Sequence, residues 1–545
     1  MTLRFGPLPA PAWLAGVICL SLLLRLAALW ACPFIGSDGG VDGVAMSLVG
    51  KNLMSGEGFQ FQDRPETVHA PLFPVLIGLV WAVTGDIFTA GLVVSALASA
   101  FLVVPLFFLA RDLVGELAAR WASLLGAVFP PYIFAATEVR VASLYACVYL
   151  WFVLALWRVC RQPNLRRGAL AGAVLGLAYL ARPEALLLLP SAAAAALLAQ
   201  AGSFRRRVCR LCRPGLAGAG AFGLLGAPYW FFLHRHLGRW TLSARAPFTF
   251  IPYFSANWEE ANFQAYAYPE QVREQWNALG GYLGLLREHG QEMLGRFFDN
   301  LGSLLRVGSS PEFGRMGLPA APLSVVFLLG LAVLVVLYWR RVAARRADFR
   351  DLFVCLLCLP MLPYFFLTDF MTSQKLRYLF PYLGFILLAA GTWLGRVSWR
   401  GRLSALPGLL ILAALFGVDA WLIPAKATMV PWEYRLLGER MRREIPDLEN
   451  TVVMSQRMGV PFYAGARHAA VPPGPPSRVL DYAREVGARY LVVSDWTTPT
   501  RRPDLLGLLS DEPSSFPWLV RVGRESWRGR RAVLYRLVET GEAVP

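Results

Sequence analysis

A run of ionisable side chains lies between Cys32 and Pro74, in CPFIGSDGGVDGVAMSLVGKNLMSGEGFQFQDRPETVHAPLFP. Asp38, Asp42, Lys51, Glu57, Asp63, Arg64, Glu66 and His69 follow directly on the first long apolar segment, which places them beside a membrane face. A carboxylate held against a hydroxyl can take its proton as a general base, an effect of about 10²–10⁴-fold. Asp42 and Asp38 are the candidates for that work, although both could instead cap helices of a solvated loop. Arg182 and Arg377 stand near the ends of other apolar segments. The planar guanidinium fork can hold two phosphate oxygens at once and keeps its charge near a membrane. Lys375 and His69 could share that task, while an arginine at a helix end can also simply snorkel to lipid headgroups. Glu66 and Glu138 are further acids that could bind acceptor hydroxyls or a divalent ion.

No metal site is expected. His234, His236, His289 and His468 show no mutual spacing that builds one and read as structural. Cys209 and Cys212 form a CxxC inside an arginine-rich loop with no second pair or histidine, half of a zinc site at most. The eight cysteines lie mostly in or beside apolar segments, so a disulfide framework is not expected.

The elements that must position these side chains are membrane helices. Of 545 residues 56% are apolar, and the mean hydropathy is +0.47. Ordinary soluble domains hold roughly 45–50% apolar residues, so the chain reads as a polytopic membrane protein. The net charge of +17 comes from arginines clustered in short loops between apolar stretches, as cytoplasmic loops are, which argues against nucleic acid. Residues 12–31 are long enough to form the first span, and with no convincing small-x-small cleavage site before the acidic loop they do not read as a cleaved signal peptide; Arg25 within them should face the protein interior or snorkel outward. Residues 71–84 are too short to cross and read as an interfacial or re-entrant helix. Spans follow at 89–110, 118–134 and 141–157, then a hairpin over 168–200 turning at Arg182-Pro183-Glu184, and a crossing at 215–233. The basic stretches 158–167, 205–213, 339–346 and 396–402 fall on the inner side. A long polar region from His234 to about 320 ends in an amphipathic helix over 281–306 that rests on the bilayer surface. Spans at 321–339, 351–367, 378–395 and 405–424 bring the total to eleven, with the N-terminus inside and the C-terminus outside.

The last 120 or so residues change character. TVVMS (451–455) and RYLVVSD (489–495) read as buried strands, with an amphipathic helix over 476–486 between them and further strands at 517–523 and 531–537. This predicts a small α/β domain over 425–545 behind a membrane domain over 1–424, whose outer loops span 32–88 and 234–320. No Gly-rich phosphate loop and no internal repeat is visible.

Three motifs carry a resemblance. Asp42-Gly-Val-Ala-Met46, Lys51-Asn52-Leu53, Gly56-Glu57-Gly58-Phe59 and His69-Ala70-Pro71-Leu72-Phe73-Pro74 together resemble the first outer loop of GT-C glycosyltransferases, in the protein O-mannosyltransferase and aminoarabinose-transferase branch that includes bacterial dolichyl-phosphate-mannose-protein mannosyltransferases. Met46 departs from the family's usual Tyr, and Gly50 from its frequent Ala. Arg182 in GLAYLARPEALLLLP resembles the family's Gly-Leu-Ala-x-Leu-x-Arg-Pro-Glu turn, and Arg377 in QKLRYLFPYLGFILLAAG its Arg-Tyr-x-x-Pro opening of a late helix.

The resemblance implies a polytopic α-helical GT-C fold in a bacterial inner (plasma) membrane, with the C-terminal domain extracytoplasmic. It implies inverting transfer of a sugar from a polyprenyl-phosphate donor to an acceptor hydroxyl of a glycan, lipid or protein, without a cofactor. Asp42 aligns with the family's catalytic acid, with Asp38 as second choice; Arg377, Arg182, His69 and Lys375 would hold the donor phosphate, and Glu66 and Glu138 the acceptor. The competing readings are a transporter or lipid flippase, which would need charged or broken helices at the bilayer midplane, and a non-catalytic scaffold whose outer domain recruits a partner.

Overall fold

A computed structural model of the protein describes residues 9–33, 41–305, 349–367, 379–397, 406–510 and 516–538. Asp38, Lys375, Arg377 and the expected span 321–339 lie outside the described residues.

The membrane part opens with α1 (Ala10–Ala31), α2 (Val41–Met54), the β1–β2 hairpin (Gln60–Phe61, Arg64–Pro65) and α3 (Leu72–Thr84), the short apolar helix that the sequence anticipates. Next come α4 (Ile87–Phe101) and α5 (Val103–Leu113), which run on as one long apolar segment, then α6 (Glu116–Ala127) and α7 (Pro130–Ala136). The Asp86 side chain accepts from Thr89 N at 3.0 Å and fixes the start of α4.

The expected span 118–134 is corrected: α6 and α7 are bent by 48° at the break between them. The cause is Pro130-Pro131. Neither proline has an N–H, so the carbonyls of Gly126 and Ala127, four residues earlier, lose their helical donors. Arg25 of α1, fully buried, supplies replacements: Nη1 donates to Ala127 O at 2.8 Å and Nη2 to Gly126 O at 3.4 Å. Its Nε donates to Ser99 Oγ of α4 at 2.8 Å. Arg25 therefore faces the protein interior.

Beyond α8 (Val141–Arg161) the hairpin appears as α9 (Leu165–Ala181), a 3₁₀ turn over Pro183–Leu187 and α10 (Leu188–Leu198). The following α11 (Phe204–Leu237) is a second correction, because the basic stretch 205–213 is its first turns and not a loop. At 34 residues it extends about 51 Å, longer than the ~30 Å hydrocarbon core, so one end stands clear of it. It packs backbone to backbone on α9: a Cβ added at Gly172 would lie 1.9 Å from Gly218 O, and one at Gly168 2.1 Å from Pro214 O. Small residues four apart are what let helices approach so closely inside a membrane.

The long polar region folds as α12 (Ala246–Tyr253), α13 (Trp258–Ala267), α14 (Pro269–Leu279) and α15 (Gly281–Leu305), the last kinked at His289. Then α16 (Phe349–Cys358) and α17 (Leu362–Leu367) join through a 3₁₀ turn, followed by α18 (Phe380–Val397) and α19 (Leu406–Ala427). By length and apolarity alone, six helices among the described residues can cross a membrane, or seven if the bent pair is one span.

The C-terminal part contains α20 (Trp432–Glu444), β3 (Val452–Ser455), α21 (Gly459–Ala464), β4 (Arg467–Ala470), α22 (Pro476–Val486), β5 (Ala488–Ser494), α23 (Thr498–Arg501), β6 (Leu519–Trp527) and β7 (Arg530–Leu537). They build a five-stranded sheet in the order β4-β3-β5-β7-β6, parallel among the first three strands and antiparallel across β5, β7 and β6. Strand β4, with the short pattern Arg-His-Ala-Ala, is one the sequence did not suggest.

Contacts on two sides help to fasten this sheet to the rest. Phe263 of α13 is buried with Val479 and Tyr482 of α22, while Arg478 of α22 grips the Glu260 carboxylate with bonds of 2.6 and 2.7 Å. On the bundle side, Phe462 and Tyr463 of α21 join the main membrane core, Tyr463 meeting Phe88 edge-on at 5.7 Å.

Candidate active site

The first loop is placed by a glycine contact. A Cβ added at Gly50 of α2 would lie 2.3 Å from Pro74 O, and one at Gly78 of α3 2.3 Å from Gly50 O. Only glycines allow the two backbones to meet there, which explains why Gly50 stands where the resembled family often has Ala. The hairpin is tied on by Asn52, whose Nδ2 donates to Gln60 O at 3.1 Å.

This packing carries Asp42, in the first turn of α2, to His69, just before α3. His69 Nε2 lies 3.3 Å from Asp42 Oδ1 and Nδ1 lies 3.2 Å from Glu66 Oε2. The other Glu66 oxygen accepts from the backbone N–H groups of Val68 (2.6 Å) and His69 (2.9 Å). Burial alone would push the His69 imidazole down, but the Glu66 charge and the contacts with both carboxylates outweigh it and hold the pKa at about 9. Burial likewise pushes the Glu66 carboxyl up, and the His69 charge with the two backbone bonds brings it below its ordinary value. The ring is thus an imidazolium between two carboxylates at neutral pH.

These residues open into a cleft of ≈ 1020 Å³ between the first loop, α12–α14 and the C-terminal sheet. Its walls include Asp42, Glu66 and His69 from the first loop, Arg245 and Arg273 from the long polar region, and Arg467 and His468 of β4. The far wall is cross-braced. Gln62, in a left-handed conformation at φ 48°, donates from Nε2 to His468 O at 3.0 Å, and Tyr266 OH of α13 meets His468 Nδ1 at 2.9 Å. Asp63 pairs with Arg467, and Arg273 Nη2 donates to Thr67 Oγ1 at 2.7 Å. His468 is buried with no carboxylate neighbour among the described residues, so desolvation, only partly opposed by its bond to Ser455 O, takes its pKa to about 4. It is neutral where His69 is charged.

The other sequence candidates fall elsewhere. Arg182, at the C-terminal end of α9, is buried beside Glu184 (3.2 Å) and over the Tyr145 ring (5.6 Å), and does not line the cleft. Arg245 connects the two regions, lying close enough to Glu184 to act on it electrostatically while also lining the cleft. Glu138 joins a separate cluster, with Lys426 Nζ at 2.7 Å and Arg140 Nε at 3.0 Å. Sequence reasoning missed Arg245, Tyr266 and Arg273 and took His468 as merely structural; none of them stands in a recognisable motif. No group of three or more His, Cys, Asp or Glu side chains among the described residues could hold a metal ion.

Residues 68–226 match the family model for dolichyl-phosphate-mannose-protein mannosyltransferase, under a third of the chain. No curated protein matches in sequence. Among solved structures, the Archaeoglobus fulgidus oligosaccharyltransferase in complex with zinc and sulfate is similar with a TM-score of 0.59 at 14% identity, over 88% of this chain and 67% of that one. The archaeal oligosaccharyltransferase AglB from the same organism, in complex with an inhibitory peptide and a dolichol-phosphate, is similar at 0.56 and 14%, over 88% and 69%. ArnT from Cupriavidus metallidurans bound to undecaprenyl phosphate is similar at 0.56 and 13%, over 98% of this chain and 99% of that one. With its apolar helices and its C-terminal sheet, the chain is an integral membrane protein that has the fold of the GT-C membrane glycosyltransferases.

Proposed function

We propose that the protein moves a sugar from a polyprenyl-phosphate donor to an acceptor hydroxyl, with inversion, at the extracytoplasmic face of a bacterial inner membrane. The observation that carries this reading is the position of Asp42. It lines a large cleft beside the buried Glu66–His69 pair, in a chain whose structural neighbours include one solved with dolichol-phosphate and one with undecaprenyl phosphate.

Asp42, in its carboxylate form, accepts the proton of the acceptor hydroxyl; the freed oxygen pair attacks the anomeric carbon, and the carbon–oxygen bond to the phosphate breaks, leaving polyprenyl phosphate. His69, with each ring nitrogen facing a carboxylate, orients Asp42. Arg245, lining the cleft, takes the charge that develops on the leaving phosphate. Arg182 and, from the sequence motif, Arg377 with Lys375 support it. Asp38 is the alternative base. Glu66 acts through His69 rather than on the acceptor directly.

Membranes containing the protein and a radiolabelled polyprenyl-phosphate sugar test the proposal. Asp42→Asn should lower transfer by about 10²–10⁴-fold, the range of a general base, while folded protein accumulates as in the wild type. Undiminished transfer refutes the assignment of Asp42.

A further inference from the structure

The cleft that holds Asp42 has an aromatic part to its wall. Five aromatic side chains line it from four separate stretches of chain: Phe61 of β1, Phe248 of α12, Tyr266 and Tyr268 at the end of α13, and Tyr482 of α22. The geometry points to a subsite for pyranose rings on this wall, so that the acceptor is a sugar-bearing molecule, a glycan or glycolipid, and not a peptide.

The chemistry of the wall fits a sugar. A pyranose presents a flat face of C–H bonds, which an aromatic face covers, and a rim of hydroxyls, which needs polar groups at the edge of that face. Tyr268, partly exposed, is the ring that can offer its face; the buried Tyr482 supports it from behind, with centroids 6.3 Å apart and planes at 69°, and Phe263 backs Tyr482 edge-on at 5.1 Å. The Tyr268 hydroxyl donates to the Glu485 carboxylate, with oxygens at 2.9 and 3.0 Å, so its ring is held in place before any ligand arrives. Asn262, Glu485 and Arg64, all exposed in the same cleft, provide donors and acceptors for hydroxyls. At ≈ 1020 Å³ the cleft reaches the upper end of the roughly 300–1,000 Å³ usual for small-ligand sites. It has room for several rings besides the sugar being transferred.

A peptide fits less well. Extended peptides are commonly bound by adding a strand to an open sheet edge. The edge of this sheet nearest the cleft is β4, only four residues long, and its His468 carbonyl is already taken by Gln62 Nε2. Tyr266 closes the same stretch.

Calling the bound sugar an acceptor rests on the proposed transferase function; glycan binding itself does not. The test is binding of the full-length protein in lipid nanodiscs to an array of printed oligosaccharides and hydroxyl-bearing peptides, followed by solution titration with the best-bound oligosaccharide. Oligosaccharides should be retained and peptides not. Tyr268→Leu, which keeps the apolar bulk, should weaken the titrated affinity about tenfold, or ~1.4 kcal/mol, and Tyr268→Trp should restore it. An unchanged melting temperature in both variants separates lost stacking from lost folding. Retention of peptides in place of glycans, retention of neither, or equal affinity of the Tyr268→Leu variant overturns the inference. Glycan binding without any sugar transfer would instead sink the transferase reading and leave this one standing.

Discussion

His69 offers the most direct measurement of the electrostatics at the centre of the cleft. Its ring lies between Asp42 and Glu66, is 8% exposed, and titrates at about 9 instead of 6.5. Each pKa unit is 1.36 kcal/mol, so the site favours the charged ring by roughly 3 kcal/mol, with little solvent screening to discount. The folded-state pKa is raised, which fixes the sign. The contribution to stability is complete below about 6.5, where the unfolded chain also binds the proton, and drains away as pH rises through about 9. His69→Gln removes the cation at every pH and leaves Glu66 Oε2 and Asp42 Oδ1 without it, for an expected loss of about 1–3 kcal/mol at neutral pH. Thermal unfolding in nanodiscs should therefore separate wild type from variant at neutral pH, with the gap closing toward about pH 10. Carbon-13 histidine spectra give a second readout: the chain has five histidines, so the signal missing from His69→Gln identifies the ring. Transfer activity should fall along an alkaline limb centred near pH 9, as the neutral ring lets Asp42 turn. If the His69 signal titrates near 6.5, or the unfolding gap is the same at neutral and alkaline pH, the imidazolium between two carboxylates does not exist and the reasoning fails.

Two further outcomes follow from packing. Gly50→Ala should lose about 1–3 kcal/mol of stability and most transfer activity, because its Cβ would meet Pro74 O at 2.3 Å and force α2, with Asp42, off α3. Gly16→Ala, with nothing within 4 Å of the added carbon, is the control, and equal unfolding temperatures for the two would contradict the contact. Arg25→Leu leaves the Gly126 and Ala127 carbonyls without donors, at about 1–3 kcal/mol each. Adding Pro130→Ala and Pro131→Ala should recover part of that loss by returning the two helical N–H groups. A purely additive triple variant would mean that Arg25 does not serve the break.

The helical character of this chain could be read from the sequence because apolarity along a segment is a local property. The break at Pro130-Pro131 could not be read that way: hydropathy runs on through both prolines, and the residue that makes the break tolerable, Arg25, stands 101 and 102 positions away from the carbonyls it serves. The site divides along the same line. Asp42, Glu66 and His69 were visible as a cluster of the right residue types, but their arrangement depends on Gly50 and Gly78 bringing two helices into contact. The cleft is less local still, since Tyr266 meets His468 across 202 positions and Arg478 meets Glu260 across 218.

Glu66 and Glu138 show why residue type alone could not sort the acids. The sequence places both beside apolar segments, and both end up buried or nearly so against cations. Glu138 is shared by Arg140 and Lys426 and does not line the cleft that Glu66 lines. Glu66 instead meets a histidine, the one cation here whose charge can be withdrawn at moderately alkaline pH, and that histidine touches the acid proposed as the base. A carboxylate pair bridged by a titratable ring at the wall of a cleft can respond to what enters it, whereas one locked between arginine and lysine can only hold helices together. That difference, set by partners 3 and 288 residues away, is the ground on which we propose Glu66 for the chemistry and Glu138 for the scaffold.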